Sequence, residues 1–163
     1  KKNTEMSEEY RKNNLFVIAT GRSYESYKGE EEKFNIKTDY LVINHGATIL
    51  KDDKIIYNKP IADEIKEQLI KDLEIDTAEY IHCYKEKDEV DITESNITKV
   101  LIDYKDHETA VRMRDMVKNK FAGKLKNFHF TTYNSVEVVS ADVDKSIAVD
   151  IISKLDENLM LLL

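Results

Sequence analysis

The sequence predicts an α/β protein in two parts: an incomplete parallel core, and an α+β domain whose antiparallel sheet is covered by two helices. Three observations predict it. Two unbroken apolar runs, LFVIAT at 15–20 and YLVIN at 40–44, flank a polar stretch, 22–38, of the length a helical crossover needs. Continuous runs of this kind are strands buried on both faces, as parallel sheets require. From residue 48 to 134 the pattern changes to short alternating pieces and hairpin signals. A strongly amphipathic helix then begins at Asp144, with Ile147, Ala148, Ile151, Ile152 and Leu155 on one face.

In chain order, residues 5–13 carry Glu, Tyr, Arg and Lys without Gly or Pro and predict a short exposed helix. The βαβ unit follows, its strands ended by Gly21 and by His45–Gly46. Two β-rich pieces around Asp52 and Asp53 predict a hairpin, and 62–73 predicts a helix with Ile65, Leu69, Ile70 and Leu73 on one side. Strands are expected at 79–84 and 97–104. A helix at 107–121 aligns Ala110, Met113, Val117 and Phe121, and paired strands are expected from FHFTTY and SVEVVS. An antiparallel sheet with two helices on one face accounts for this order. The domain boundaries predicted are 1–47 with 135–163 for the core and 48–134 for the second domain. The closing LMLLL run reads as the stub of a buried element.

Composition narrows the function. The formal net charge is −7, and basic residues are interleaved with acidic ones, so neither nucleic acid nor an anionic membrane finds the clustered positive charge that binds it. One cysteine, Cys83, forms no intrachain disulfide and fits a reducing cytoplasm. No apolar run reaches the ~20 residues of a membrane span. The histidines, His45, His82, His107 and His129, do not fall at zinc-ligand spacings with one another or with Cys83. The runs Glu30–Glu32 and Lys85–Glu89 read as solvated faces or turns.

Two segments carry chemistry. In FVIATGRS, 16–23, Thr20 ends a buried strand, Gly21 permits a tight turn, and Arg22 stands nearby. Ligands of open α/β sheets bind at that edge, where bare amides at a helix start favour anions. A phosphate fits this set; so does a hydroxyl that merely satisfies a turn. In SADVDKSIAVDII, 140–152, Asp144 is a good N-cap, which puts Lys145 at the first helical position, where the macrodipole disfavours a cation by roughly a few tenths of a kcal/mol. A bound anion neutralised jointly by ammonium and amides accounts for a lysine there. A solvated lysine at a frayed end is the alternative.

These segments resemble a known family. FVIATGRS resembles the second motif of haloacid dehalogenase phosphatases, a strand ending in Thr or Ser that holds the transferring phosphoryl group. DYLVINHGATI resembles the Cof-type signature at the next strand, with His45 where the family usually has asparagine. VEVVSADVDKSIAVDII resembles the third motif, in which a lysine at a helix start follows a strand bearing a glutamate, here Lys145 and Glu137. The three occur in the family's order around an insert of the length of a type IIB cap. The resemblance implies a partial Rossmann-like, haloacid dehalogenase-like core plus that cap. It also implies Thr20 and Lys145 as catalytic residues, and Gly21, Arg22, Asn44, His45 and Gly46 as substrate-binding residues. The implied activity is Mg²⁺-dependent hydrolysis of a small phosphorylated metabolite, such as a sugar phosphate, through an aspartyl-phosphate intermediate.

The chain departs from the family at decisive points: Asp-x-Asp-Gly-Thr and Gly-Asp-x-x-Asn-Asp, which would supply nucleophile, acid/base and Mg²⁺ carboxylates, are both missing. The residues present cannot perform the family reaction by themselves. Omitted flanking segments, or a shortened chain, are the expected reasons. Two other readings stay open: a non-catalytic homologue that binds a phosphorylated ligand, and a sugar phosphomutase with the same cap type. An encoded Asp-x-Asp-Gly-Thr upstream of Lys1 eliminates the first, and mutase activity on hexose phosphates marks the second.

Overall fold

Why the apolar runs are continuous is visible in how their alternate residues divide. In the computed structural model, which describes residues 2–128 and 133–156, strand β1 (Val17–Ala19) pairs in parallel with β2 (Tyr40–Ile43), joined by helix α2 (Tyr24–Phe34). Tyr40 and Val42 pack with Ala148 and Ile152 of helix α5 (Lys145–Leu155), whereas Leu41 and Ile43 pack with Tyr27 of α2. Period-two alternation with both faces covered leaves no polar position in the strand. The expected βαβ unit is present.

The chain divides into two compact units, Lys1–Asn58 with Val143–Leu163, and Lys59–Asp142. The compact units divide at 58/59 and 142/143, whereas the sequence pattern places the breaks at 47/48 and 134/135. The hairpin β3 (Thr48–Lys51) and β4 (Lys54–Asn58) does not belong with the second domain's sheet. It continues the first as β1-β2-β3-β4, with β3 antiparallel to β2. A hairpin signal in sequence says nothing about which sheet it joins; here the turn at 44–47 folds β3 back directly onto β2. Asp52 and Asp53, both at positive φ, make its two-residue loop, and Tyr24 Oη donates to Asp53 at 2.9 Å, tying the loop to α2. β1 itself is only half-buried, because among the described residues it pairs with β2 alone and lies at the sheet edge.

Helix α1 (Lys2–Arg11) is fastened to this sheet by its last residue. Arg11 donates to Asp39 Oδ1 at 2.7 Å, and the Phe16 N–H donates to Asp39 Oδ2 at 2.7 Å. Burial alone would raise the Asp39 carboxyl, but the Arg11 and Phe16 hydrogen bonds outweigh it and hold it below the ordinary carboxylate range. Its contribution to stability is therefore fully present above the unfolded-state value, ~4, and is lost as pH falls through the lower folded-state value. The urea midpoint is expected to drop as the medium is acidified from about pH 6 to about pH 3, and Asp39→Asn to flatten part of that drop. An unaltered slope in the variant would show that the carboxyl is not coupled to folding.

The second unit is an antiparallel sheet in the order β6-β5-β7-β9-β8. Its strands are β5 (Ala78–Lys85), β6 (Asp88–Val90), β7 (Lys99–Tyr104), β8 (Leu125–Phe128) and β9 (Ser135–Ser140). Val100, Ile102, Val136 and Val138 point to one side and meet Leu69 of α3 (Asp63–Asp72) and Ala110, Met113 and Val117 of α4 (His107–Lys120). This is the expected sheet with two covering helices. One detail differs: β8 starts three residues before the expected strand; the 85–89 run is solvated as expected, a turn at 86–87 followed by the exposed Asp88 and Glu89 of a short edge strand, β6, against β5. Residues 129–132 of the expected FHFTTY strand, with His129, and the LMLLL run lie outside the described residues.

Candidate anion site at the end of β1 and β2

The parallel pairing of β1 and β2 continues into the loops beyond them. Thr20 N–H donates to Val42 O at 2.8 Å, His45 N–H to Thr20 O at 3.2 Å, and Asn44 N–H to Arg22 O at 3.0 Å. Two loops, 20–22 and 44–46, are thereby laced together at the carboxyl end of the strands. That is the edge where open α/β sheets bind ligands.

Thr20 Oγ1 accepts the Arg22 N–H at 3.2 Å, which leaves the hydroxyl proton to be donated elsewhere. Helix α2 begins immediately after, and its N-cap, Ser23, makes no side-chain capping bond. The first-turn amides of α2 are therefore not capped by that side chain, as an anion site wants. The Arg22 guanidinium turns back along the helix, donating to Ser26 Oγ at 3.3 Å and lying 3.9 Å from Glu30. Its contribution to the loop comes through its backbone.

The 44–46 segment is a 3₁₀ turn with three successive residues at positive φ: Asn44 at 51°, His45 at 61° and Gly46 at 104°. Asn44 is fully buried and its amide donates to Thr48 Oγ1 at 3.4 Å, while Thr48 donates to Asn58 Oδ1 at 2.8 Å. Its side chain holds the turn from inside. His45 is 8% exposed, and its ring lies over Gly21, where an added Cβ would meet Cε1 at 2.3 Å. On its other side the turn meets α5. A Cβ at Gly46 would lie 2.5 Å from the Asp144 carbonyl oxygen and 2.9 Å from the Lys145 nitrogen.

Helix α5 starts as its sequence predicts. Asp144 caps it, accepting from the Ser146 N–H at 2.9 Å and from Ser146 Oγ at 2.8 Å, and Lys145 is the first helical residue, exposed. Thr20, Gly21, Arg22, Asn44, His45, Gly46 and Lys145 thus fall in one unit, with the turn 44–46 touching both the 20–22 loop and the start of α5. Glu137 does not join them. It belongs to β9 of the other unit and pairs with the buried Lys99 at 3.0 Å. The Asn44–Thr48–Asn58 chain went unforeseen; alternating Thr and Asn in a hairpin carries no signal of its own.

Among the described residues, no group of three or more His, Cys, Asp or Glu side chains could hold a metal. A cavity of about 580 Å³ in the second unit, lined by His107, Arg114, Lys118 and Asn127 among others, contains none of the nominated residues. No helix among the described residues is long and apolar enough to cross a membrane.

A parallel strand pair with a separate antiparallel unit between its parts defines a class of fold, and comparison with known proteins gives its family. Residues 1–94 match the family described as haloacid dehalogenase-like hydrolase. The chain belongs to that family. A protein of Mycoplasma capricolum of uncharacterized function is 35% identical over 71 residues, 42% of this chain and 27% of that protein. A haloacid dehalogenase-like hydrolase from Bacillus subtilis shares the fold with TM-score 0.73 at 14% identity, over 98% of this chain and 72% of its own. A HAD/COF-like hydrolase from Plasmodium vivax does so with TM-score 0.74 at 18% identity, over 94% and 66%. The sucrose-phosphatase of Synechocystis, solved with sucrose and phosphate, superposes with TM-score 0.63 at 14% identity, over 93% and 61%. The chain therefore spans 27% of its curated relative and under two thirds of some of these structures.

Proposed function

We propose that this chain belongs to a cytoplasmic phosphatase that hydrolyses a small phosphorylated metabolite, with the unit Lys1–Asn58 and Val143–Leu163 in the catalytic core and Lys59–Asp142 as cap. The observation that carries the reading is that one turn, 44–46, packs against both the Thr20 loop and the start of the Lys145 helix. In this reading Thr20 Oγ1 donates its proton to a phosphoryl oxygen, and the first turn of α2 faces the same group. The Lys145 ammonium offsets the charge that builds on the oxygens, worth more in a partly dehydrated pocket than in water. Asn44, His45 and Gly46 hold these groups in register.

The aspartyl nucleophile, the acid/base carboxylate and the Mg²⁺ ligands would come from segments flanking the residues in hand. Mg²⁺, when bound there, would neutralise the transferring group. Sucrose-phosphatase among the structural neighbours supports a phosphorylated sugar or a similar small molecule as substrate. The test is phosphate release by the full-length protein from a broad panel of phosphorylated metabolites with Mg²⁺ present. Turnover of one or more is expected, and silence across the panel removes the reading.

A further inference from the structure

The 44–46 turn is strained beyond what joining two strands requires. An antiparallel return from β2 to β3 is available with one or two left-handed residues, yet three in succession lie there, two of them carrying side chains. Backbone held in sparsely populated conformations persists only where its surroundings over-determine it. The surroundings here are specific. Asn44 is bonded from inside to Thr48, the His45 ring occupies the space a Cβ on Gly21 would need, and Gly46 lies against the Asp144–Lys145 peptide. Gly21 is not itself at positive φ, so the backbone there would accept alanine; the His45 ring is the named obstacle to it.

We propose that this turn is a two-sided positioning device that sets the 20–22 loop and the start of α5 at a fixed separation, and that His45 is its positioning residue. His45 acts through Gly21 rather than on the ligand. With the ring seated on Gly21, the Thr20 carbonyl is held by the His45 N–H and the Arg22 carbonyl by the Asn44 N–H, so the loop and the Thr20 hydroxyl it carries keep a fixed position. Removing the ring frees the loop to shift without unfolding the sheet beneath it, since the β1–β2 register is set by the strands themselves. Misplacement of about 1 Å at such a site costs roughly 10- to 100-fold. The inference rests on the phosphate reading above only for what the loop binds; the clamp itself is a statement about residues 21 and 45.

The experiment is a double-mutant cycle on this chain: wild type, Gly21→Ala, His45→Gly and the double variant, each unfolded in urea and titrated with inorganic phosphate by NMR. Gly21→Ala is expected to lower the urea midpoint, and His45→Gly to recover most of that loss, because glycine accepts the left-handed turn and clears the space. His45→Gly alone is expected to weaken phosphate binding on the order of tenfold while its urea midpoint shifts little, and the double variant to keep that weakened affinity. If the stability effects of the two substitutions simply add, or if His45→Gly binds phosphate like wild type, the clamp is wrong. If wild type binds no phosphate, the phosphate reading fails, and the stability cycle still decides the clamp.

Discussion

If the proposed activity holds, alanine at Lys145 is expected to lower phosphate release by the full-length protein by roughly 10²- to 10³-fold, the range found when one preorganised electrostatic donor is removed. Its urea midpoint is expected to stay that of wild type. The reason for the split is where the residue sits. Lys145 is exposed and lies at the first position of α5, outside the buried cores, and the macrodipole there works against its charge. Removing it even relieves a small electrostatic cost in the absence of anion. A lysine kept for folding would give the reverse result, a lowered midpoint with turnover falling only in proportion to the folded fraction. Steady-state kinetics beside urea unfolding separates the two.

Gly46→Ala is expected to destabilise the chain by roughly 2–4 kcal/mol, combining a left-handed penalty with forced overpacking. The Cβ would lie 2.5 Å from a backbone oxygen and 2.6 Å from a backbone carbon of Asp144, at φ of 104°. No flexible side chain is there to give way. The N-terminus of α5 would have to lift off the turn, carrying Lys145 with it and weakening the packing of Ala148 and Ile152 on β2. A urea midpoint within a few tenths of a molar of wild type would show that the two segments are less closely apposed than this geometry has them.

Much of this site was legible because its chemistry is local. Thr20 at a strand end and Asp144 as N-cap each follow from a few neighbouring residues, and each stands where those residues put it; Gly21, read as a turn residue, is instead demanded by the His45 ring. What the sequence did not carry was pairing at a distance. The 48–58 hairpin is equally compatible with either sheet, and only its register against β2, Tyr40 opposite Lys51, assigns it to the first. Asn44 reads as a polar residue at a strand tip, where ligands sit; its burial is decided by Thr48, which itself reads as an ordinary strand residue. Glu137 stands eight residues from Lys145 in the chain, and the passage from one unit to the other falls between them. β6 was hidden by charge, as a short edge strand that faces solvent has no apolar alternation to show.

The central claim is that one anion is held jointly by the 20–22 loop and the start of α5. Titrating this chain with inorganic phosphate while following the backbone amides of residues 20–24 and 145–147 tests it most directly. Both sets of resonances are expected to move together and yield a single dissociation constant, and Lys145→Ala to weaken it for both. Movement of one set alone, or two sets saturating at different concentrations, would contradict a shared site.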